Sequence, residues 1–286
     1  MTDVVAEPWD IGTGVRGYRW RSSNAHSSLL LQHGYAEYAG RYVERYSRLI
    51  PNLVDAGFDV HAFDMRGHGG SLGSRGAADI ERTVQDHLAA RHMLAGAKPL
   101  FLFGHSLGGL VTAASVIRDQ EHVAGVVLSA PALLLPVPLA VRLLAKGLAR
   151  VAPTLGIIKP QAASGISRDT AEVRLFECDP QTYRGKMPAR LGASALAVAA
   201  NSWPRYRDWT VPTLTLHGTD DTYTDPKGSA LFNALIQPQA KIFVSVEGGR
   251  HELLNDCDRE TVLNTILSWL QHAQTLWIGA QIETPL

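Results

Sequence analysis

The sequence predicts a single α/β domain, with a mostly parallel central sheet flanked by helices and one inserted helical lid. Three observations carry this reading. Short apolar runs alternate with stretches of helical periodicity along most of the chain, the signature of parallel βαβ units. That rhythm fails once, between about 132 and 205. The chain has 286 residues, 45% of them hydrophobic and 19% charged, enough for one large core carrying an insertion.

The first expected strand is Ser28–Gln32, followed by helical periodicity over Arg41–Leu53. Phe58–Met65 and Pro99–Gly104 are the next strands, with a helix over Ile80–Leu94 between them. Leu107–Arg118 reads as helix and Gly125–Ser129 as strand. After the break, strands Thr213–His217 and Lys241–Val246 lead to a last helix over Arg259–Gln271. The strands are almost continuously apolar, which suits burial on both faces. The break opens on the Pro-rich PALLLPVP and closes at Trp203-Pro204. It reads as a lid inserted after Gly125–Ser129, so that 1–131 and 206–286 form the core and 132–205 the lid.

Lys+Arg and Asp+Glu each number 27, a balance that argues against a nucleic-acid partner and for a small neutral or apolar one. Cys178 and Cys257 form no CxxC pattern, and a core of this size needs no bridge. The first twenty residues include Asp3, Glu7, Asp10, Arg16 and Arg19, and contain no signal-peptide run. The longest apolar stretch, around 130–141, is broken by Pro131, Pro136 and Pro138 and is too short to span a bilayer. A cytoplasmic enzyme is therefore expected. The tail 275–286 has no assigned role, although its apolar Leu276-Trp277-Ile278 would suit docking on a partner.

Gly104-His105-Ser106-Leu107-Gly108 matches G-x-S-x-G, but so does Gly69-Gly70-Ser71-Leu72-Gly73. Context separates them. Ser106 follows the strand PLFLFG and opens the helical pattern LGGLVTAASVIR, the strand–turn–helix setting of a nucleophile elbow. Ser71 sits in the Gly-rich loop RGHGGSLGSRG with no helix after it. A serine hydroxyl needs a base, itself oriented by an acid. In the α/β-hydrolase arrangement the acid follows a late strand and the histidine follows the last. His251 alone lies between the last strand and the last helix; His217 is still within a strand. The acid falls in the loop 218–225, where Asp220, Asp221 and Asp225 compete. Asp225 precedes Pro226 at a helix start, which N-capping explains. A tetrahedral intermediate also needs two backbone N–H donors. One is that of Leu107, and the other lies in the loop Gln32-His33-Gly34-Tyr35-Ala36.

Taken together, these residues resemble the monoacylglycerol lipase branch of the α/β-hydrolases from about 14 to 272. The likeness rests on His33-Gly34 with Glu37 and Gly40-Arg41-Tyr42, on Arg66-Gly67-His68-Gly69, and on Gly104-His105-Ser106-Leu107-Gly108-Gly109. It continues in Ser129-Ala130-Pro131, Ser167-Arg168-Asp169, Asp179-Pro180, His217-Gly218-Thr219-Asp220-Asp221 and Gly249-Arg250-His251-Glu252. The resemblance implies Asp221 as the acid, through the pattern G-x-x-D, and Tyr35 and Leu107 as the oxyanion amides. It places Glu37 and Arg41 in a polar cluster near the alcohol-side pocket, which an ordinary surface salt bridge explains about as well. Where the family reads H-G-x-G-E-H, this chain has Ala36 and Tyr38 in place of the second glycine and second histidine. The implied activity is carboxylic ester hydrolysis of monoacylglycerols or similar medium-to-long acyl esters, without cofactor. Lysophospholipases, amidases and thioesterases would use the same residues, and a non-catalytic ligand-binding protein is the rival from another class.

Within the lid, Arg142, Lys146 and Arg150 fall at i, i+4 and i+8 on a helix otherwise rich in Val, Leu and Ala. Such a stripe suits a peripheral lipid interface. The alternative is that the apolar faces cover a substrate tunnel and the stripe is the wet side. A lid helix must bury apolar surface on the core, which favours that alternative. His251-Glu252-Leu253-Leu254-Asn255 lacks the second histidine of HExxH, so no metal is implied.

Overall fold

The computed structural model describes residues 4–96, 98–133, 137–238 and 241–282. The chain opens with β1 (Glu7–Trp9) and β2 (Gly17–Trp20), two short strands absent from the sequence reading. Three and four residues are too few to display a period, and Pro8 masks the first. Then come β3 (Ser27–Gln32), α1 (Arg41–Glu44), α2 (Leu49–Asp55) and β4 (Phe58–Phe63). α3 (Ile80–Leu94), β5 (Leu100–His105), α4 (Leu107–Arg118) and β6 (Val123–Ser129) complete the first half. The insertion carries α5 (Leu139–Val151), β7 (Gly156–Ile158), α6 (Thr170–Cys178), β8 (Met187–Pro188) and α7 (Ala189–Ser202). β9 (Thr213–Gly218), α8 (Pro226–Leu235), β10 (Lys241–Val246) and α9 (Arg259–Ile282) return to the core.

Eight strands form one sheet in the order β1-β2-β4-β3-β5-β6-β9-β10. The six strands expected from sequence are the six parallel ones; β1 and β2 join antiparallel at the β4 edge. Connections leave β3 first to one side, toward β4, and then to the other, toward β5. The crevice at the carboxyl ends of β3 and β5, where the order reverses, is where such sheets place ligands. Alternation along β3 shows the two layers: Leu29 and Leu31 join one apolar cluster with Leu53 of α2 and Ile266 of α9. Leu30 joins another with Ala113 of α4 and Phe232 of α8. β10 departs from the expectation of burial on both faces, because it is the sheet edge and Ile242 is exposed.

The helix expected over Arg41–Leu53 is broken. Tyr46, Ser47 and Arg48 adopt left-handed φ values of 54°, 53° and 52° between α1 and α2. Tertiary contacts override local periodicity here. The Tyr46 N–H is taken by the Asn255 side chain, its ring stacks on Tyr42 at 4.1 Å, and its hydroxyl donates to Glu37. Strand β4 ends two residues early because the Asp64 and Met65 N–H groups turn to Arg16 O and the His33 ring. α9 runs past Gln271 to Ile282, and Trp277 packs on the core of its own chain. The Ile278 side chain and residues 283–286 of the tail lie outside the described residues, as do 134–136 at the insertion's Pro-rich entry.

The insertion is not uniform. α7 buries Leu191, Ala195, Val198 and Ala199 against α3 and α4 and is part of the core. α5 lies on α7 and buries no residue, leaving Leu144 73% and Val151 82% exposed. The apolar face expected to be covered is therefore largely uncovered.

Candidate active site

Ser106 sits between β5 and α4 at φ 54°, ψ −121°, a conformation an L-residue adopts only under constraint. The constraint is visible in the flanking glycines. A Cβ at Gly108 would stand 2.3 Å from the carbonyl oxygens of Gln32 and His33, and one at Gly104 would stand 2.8 Å from Gly109 Cα. No side chain fits there, so the turn can bring α4, β5 and the loop after β3 together only with glycine at both places. Ser71, the rival match, is spent on structure: it donates to Asp64 O and accepts from the Arg16 N–H.

The structure brings Ser106, His251 and Asp221 into one line. Ser106 Oγ is 2.9 Å from His251 Nε2, and His251 Nδ1 is 2.8 Å from Asp221 Oδ2. Because a carboxylate only accepts, Nδ1 carries the hydrogen and Nε2 is free to accept from serine. The imidazole is stacked on Tyr223 at 4.9 Å and tilted against His105 at 4.8 Å. Burial, and secondarily the charge of His251, pushes His105 down to about 4, so it does not compete for protons at neutral pH.

Asp221 is buried and works with both oxygens. Oδ1 accepts the backbone N–H groups of Tyr223 and Thr224, closing the turn, while Oδ2 faces the histidine. Burial alone would raise this carboxyl. The charge of His251 and hydrogen bonds from His217 and His251 outweigh it and hold the group ionised, well below the usual carboxylate range. Asp220 is exposed and Asp225 caps α8 through the Lys227 N–H. It is Asp221, not Asp220, whose side chain closes the turn.

Gly34 lies against Ser106, where an added Cβ would stand 3.1 Å from the serine Cβ. Both sides of this peptide stretch are pinned. Gly34 N–H donates to Glu37 Oε1 at 2.6 Å. Gly34 O is 2.7 Å from His33 Nδ1, whose other nitrogen accepts from the Met65 N–H. Fixing Gly34 O fixes the Tyr35 N–H, which points the opposite way across a trans peptide. Among the described residues, neither the Tyr35 nor the Leu107 N–H has an acceptor. Ala36 follows at φ 72°, the left-handed region that favours the glycine expected there.

Glu37 and Arg41 are 2% and 3% exposed, which overturns the surface salt bridge. Their polar atoms are already engaged. Arg41 pairs with Glu37 and Glu252 at 3.0 Å each, and Glu37 also accepts from Tyr42 and Tyr46. Burial disfavours the charge on Arg41, but Glu252, Tyr46 and Glu37 together more than restore it, and its pKa lies well above the ordinary value. The cluster ties the loop after β3 to Glu252, the neighbour of His251. Glu252, the residue of the HExxH near miss, is therefore a strut. Tyr38, where the family has histidine, donates to Asp179 of the insertion.

The base of the insertion closes on the same loop. His251 N–H and Glu252 N–H donate to the carbonyls of Gly165 and Ile166. Arg250 reaches Ser164 O and Ser167 O. Sequence reading had no signal for these carbonyl acceptors, for the pinning by His33, or for His217, which also reaches Asp221.

An eight-stranded, mostly parallel sheet with a strained serine after its central strand, in line with a histidine and an aspartate, is the architecture of the α/β-hydrolases. Comparison with known proteins narrows this. Residues 23–258 match the family described as serine aminopeptidase, S33. The chain is 30% identical over 276 residues to a monoacylglycerol lipase of Mycolicibacterium smegmatis, covering 93% of this chain and 92% of the relative. It is 29% identical over 273 residues to the human monoglyceride lipase, covering 93% and 86%. The crystal structure of the Paleococcus ferrophilus monoacylglycerol lipase superposes with a TM-score of 0.81 at 29% identity, covering 95% of this chain and 100% of that one. The chain belongs to this hydrolase family, as a monoacylglycerol lipase-like α/β-hydrolase.

Proposed function

We propose that this chain hydrolyses monoacylglycerols and similar medium-to-long acyl esters through an acyl-enzyme on Ser106. The observation that carries the reading is the hydrogen-bonded line from Ser106 through His251 to Asp221, set on a strained turn. Ser106 Oγ attacks the ester carbonyl as its proton passes to His251 Nε2. The new C–O bond places the oxyanion before the Tyr35 and Leu107 N–H groups. Collapse breaks the bond to the alcohol, which leaves with the proton from His251. Water then repeats the cycle on the acyl-enzyme, and Asp221 stabilises the imidazolium in both halves. Glu37 and Arg41 act here as framework, since their charges are already paired behind the loop. The monoacyl ester is supported by the relatives' names, and a long acyl chain by the exposed apolar side chains of α5 within the segment 132–205, read as a lid whose last helix, α7, is seated in the core.

The exposed apolar side chains of α5, with Arg142, Lys146 and Arg150 beside them, support peripheral contact with anionic lipid. No helix among the described residues is long and apolar enough to cross a membrane. Unpaired Cys178 and Cys257 suit the reducing cytoplasm. Fluorophosphonate labelling of the chain and its Ser106→Ala variant, with turnover of esters from C2 to C18, tests the proposal. Labelling at Ser106 and best kcat/KM on C8–C18 monoacyl esters are expected. An unlabelled Ser106, or a preference for acetyl esters, overturns it.

A further inference from the structure

We infer that His217 is a positioning residue for the acid, the second histidine on the same carboxylate oxygen. His217 Nε2 lies 3.0 Å from Asp221 Oδ2, the oxygen that His251 approaches at 2.8 Å. The side chains of His217 and Asp221 are both fully buried. The other neighbours of Nε2 are Thr224 O at 3.3 Å and Thr224 Oγ1 at 3.2 Å, so this nitrogen carries the hydrogen. Nδ1 is 2.7 Å from Ser229 Oγ, on the buried face of α8. The ring is thereby braced between a helix and the carboxylate, four residues along the chain from it.

The remaining contacts of Oδ2 explain why this donor matters. Thr224 Oγ1 is 2.8 Å from Oδ2 and 3.0 Å from Ala130 O, and one hydroxyl hydrogen cannot serve both fully. His217 has no such competing demand of equal quality. Oδ1 is taken up by the turn, so the direction of Oδ2, and with it the seat of His251, depends on what holds Oδ2 from behind. The same donor draws negative charge from Oδ2 and lowers its proton affinity. Removing it favours the protonated base, and the acid limb of the activity profile moves to higher pH. The titratable groups facing this pair are His105 and Tyr223, with Glu252, Glu37 and Arg41 behind them, and the variants below leave all of these intact.

The inference rests on the hydrolase reading, and its test separates the two. With p-nitrophenyl octanoate as probe, His217→Met lowers kcat about ten- to a hundredfold, leaves KM unchanged and moves the acid limb up by about half a pH unit or more. His217→Gln, whose amide reaches the same position as Nε2, restores most of kcat and the limb. Should the Met variant fail to fold, Ser229→Ala gives a smaller loss with the same direction of limb shift. An unmoved limb, a loss confined to KM, or a Gln variant as poor as Met overturns the inference while the parent still turns over. A parent that neither turns over nor is labelled at Ser106 sinks the hydrolase reading itself.

Discussion

At Asp221 a single carboxylate closes a turn with one oxygen and faces two histidines with the other. Asp221→Asn breaks the second task while sparing the shape, and kcat falls by several orders of magnitude at neutral pH because the imidazolium loses its partner. Asp220→Asn and Asp225→Asn stay within about tenfold of the parent. Steady-state kinetics on the three variants decides it, and a large loss at Asp220 with a mild one at Asp221 moves the acid by one position. Much of this site was legible in residue order: Ser106 from its strand–helix context, His251 from its place after the last strand. Resemblance, not order, selected Asp221 among three aspartates. The surface salt bridge allowed for Glu37 and Arg41 fails because a sequence shows that charges are near each other, not that both are buried.

Elements meet closely where α4 begins beneath the loop that follows β3. Gly108→Ala drives a Cβ into two backbone carbonyls, which cannot swing aside as a side chain would. The expected cost is about 2 kcal/mol or more of stability, with loss of turnover as the loop shifts. Urea unfolding measures the first, and a variant of parental stability and activity refutes the packing argument. Arg41→Met leaves two carboxylates buried without their cation, at a cost of about 3–5 kcal/mol. Equilibrium unfolding reads it, and a loss below about 1 kcal/mol contradicts the framework role. Parallel strands announced themselves because both-face burial writes a continuous apolar run. β1 and β2 did not, and the break at Tyr46–Arg48 was invisible because its cause, Asn255, lies far along the chain.

For the whole molecule, the buried histidines set the response to acid. Burial holds His61 at about 4, His68 at about 3 and His105 at about 4, and lowers His87 as well. Below an unfolded value near 6.5, the unfolded chain takes up protons that the folded chain refuses. Stability is therefore present above pH 6.5 and lost as pH falls, by about 1.4 kcal/mol per pH unit for each such group. Tm measured from pH 7 to 5 should fall steeply, and His68→Gln should flatten the slope; an unchanged slope contradicts the assignment. The carbonyls at 164–167 that receive Arg250, His251 and Glu252 carry a further consequence, for recombination between homologues. The insertion is not an exchangeable cassette. A chimera spliced at 132 and 205 carries off the acceptors that seat the His251 loop, whereas a crossover between α5 and residue 163 exchanges the exposed helix and keeps those acceptors with the chain they serve.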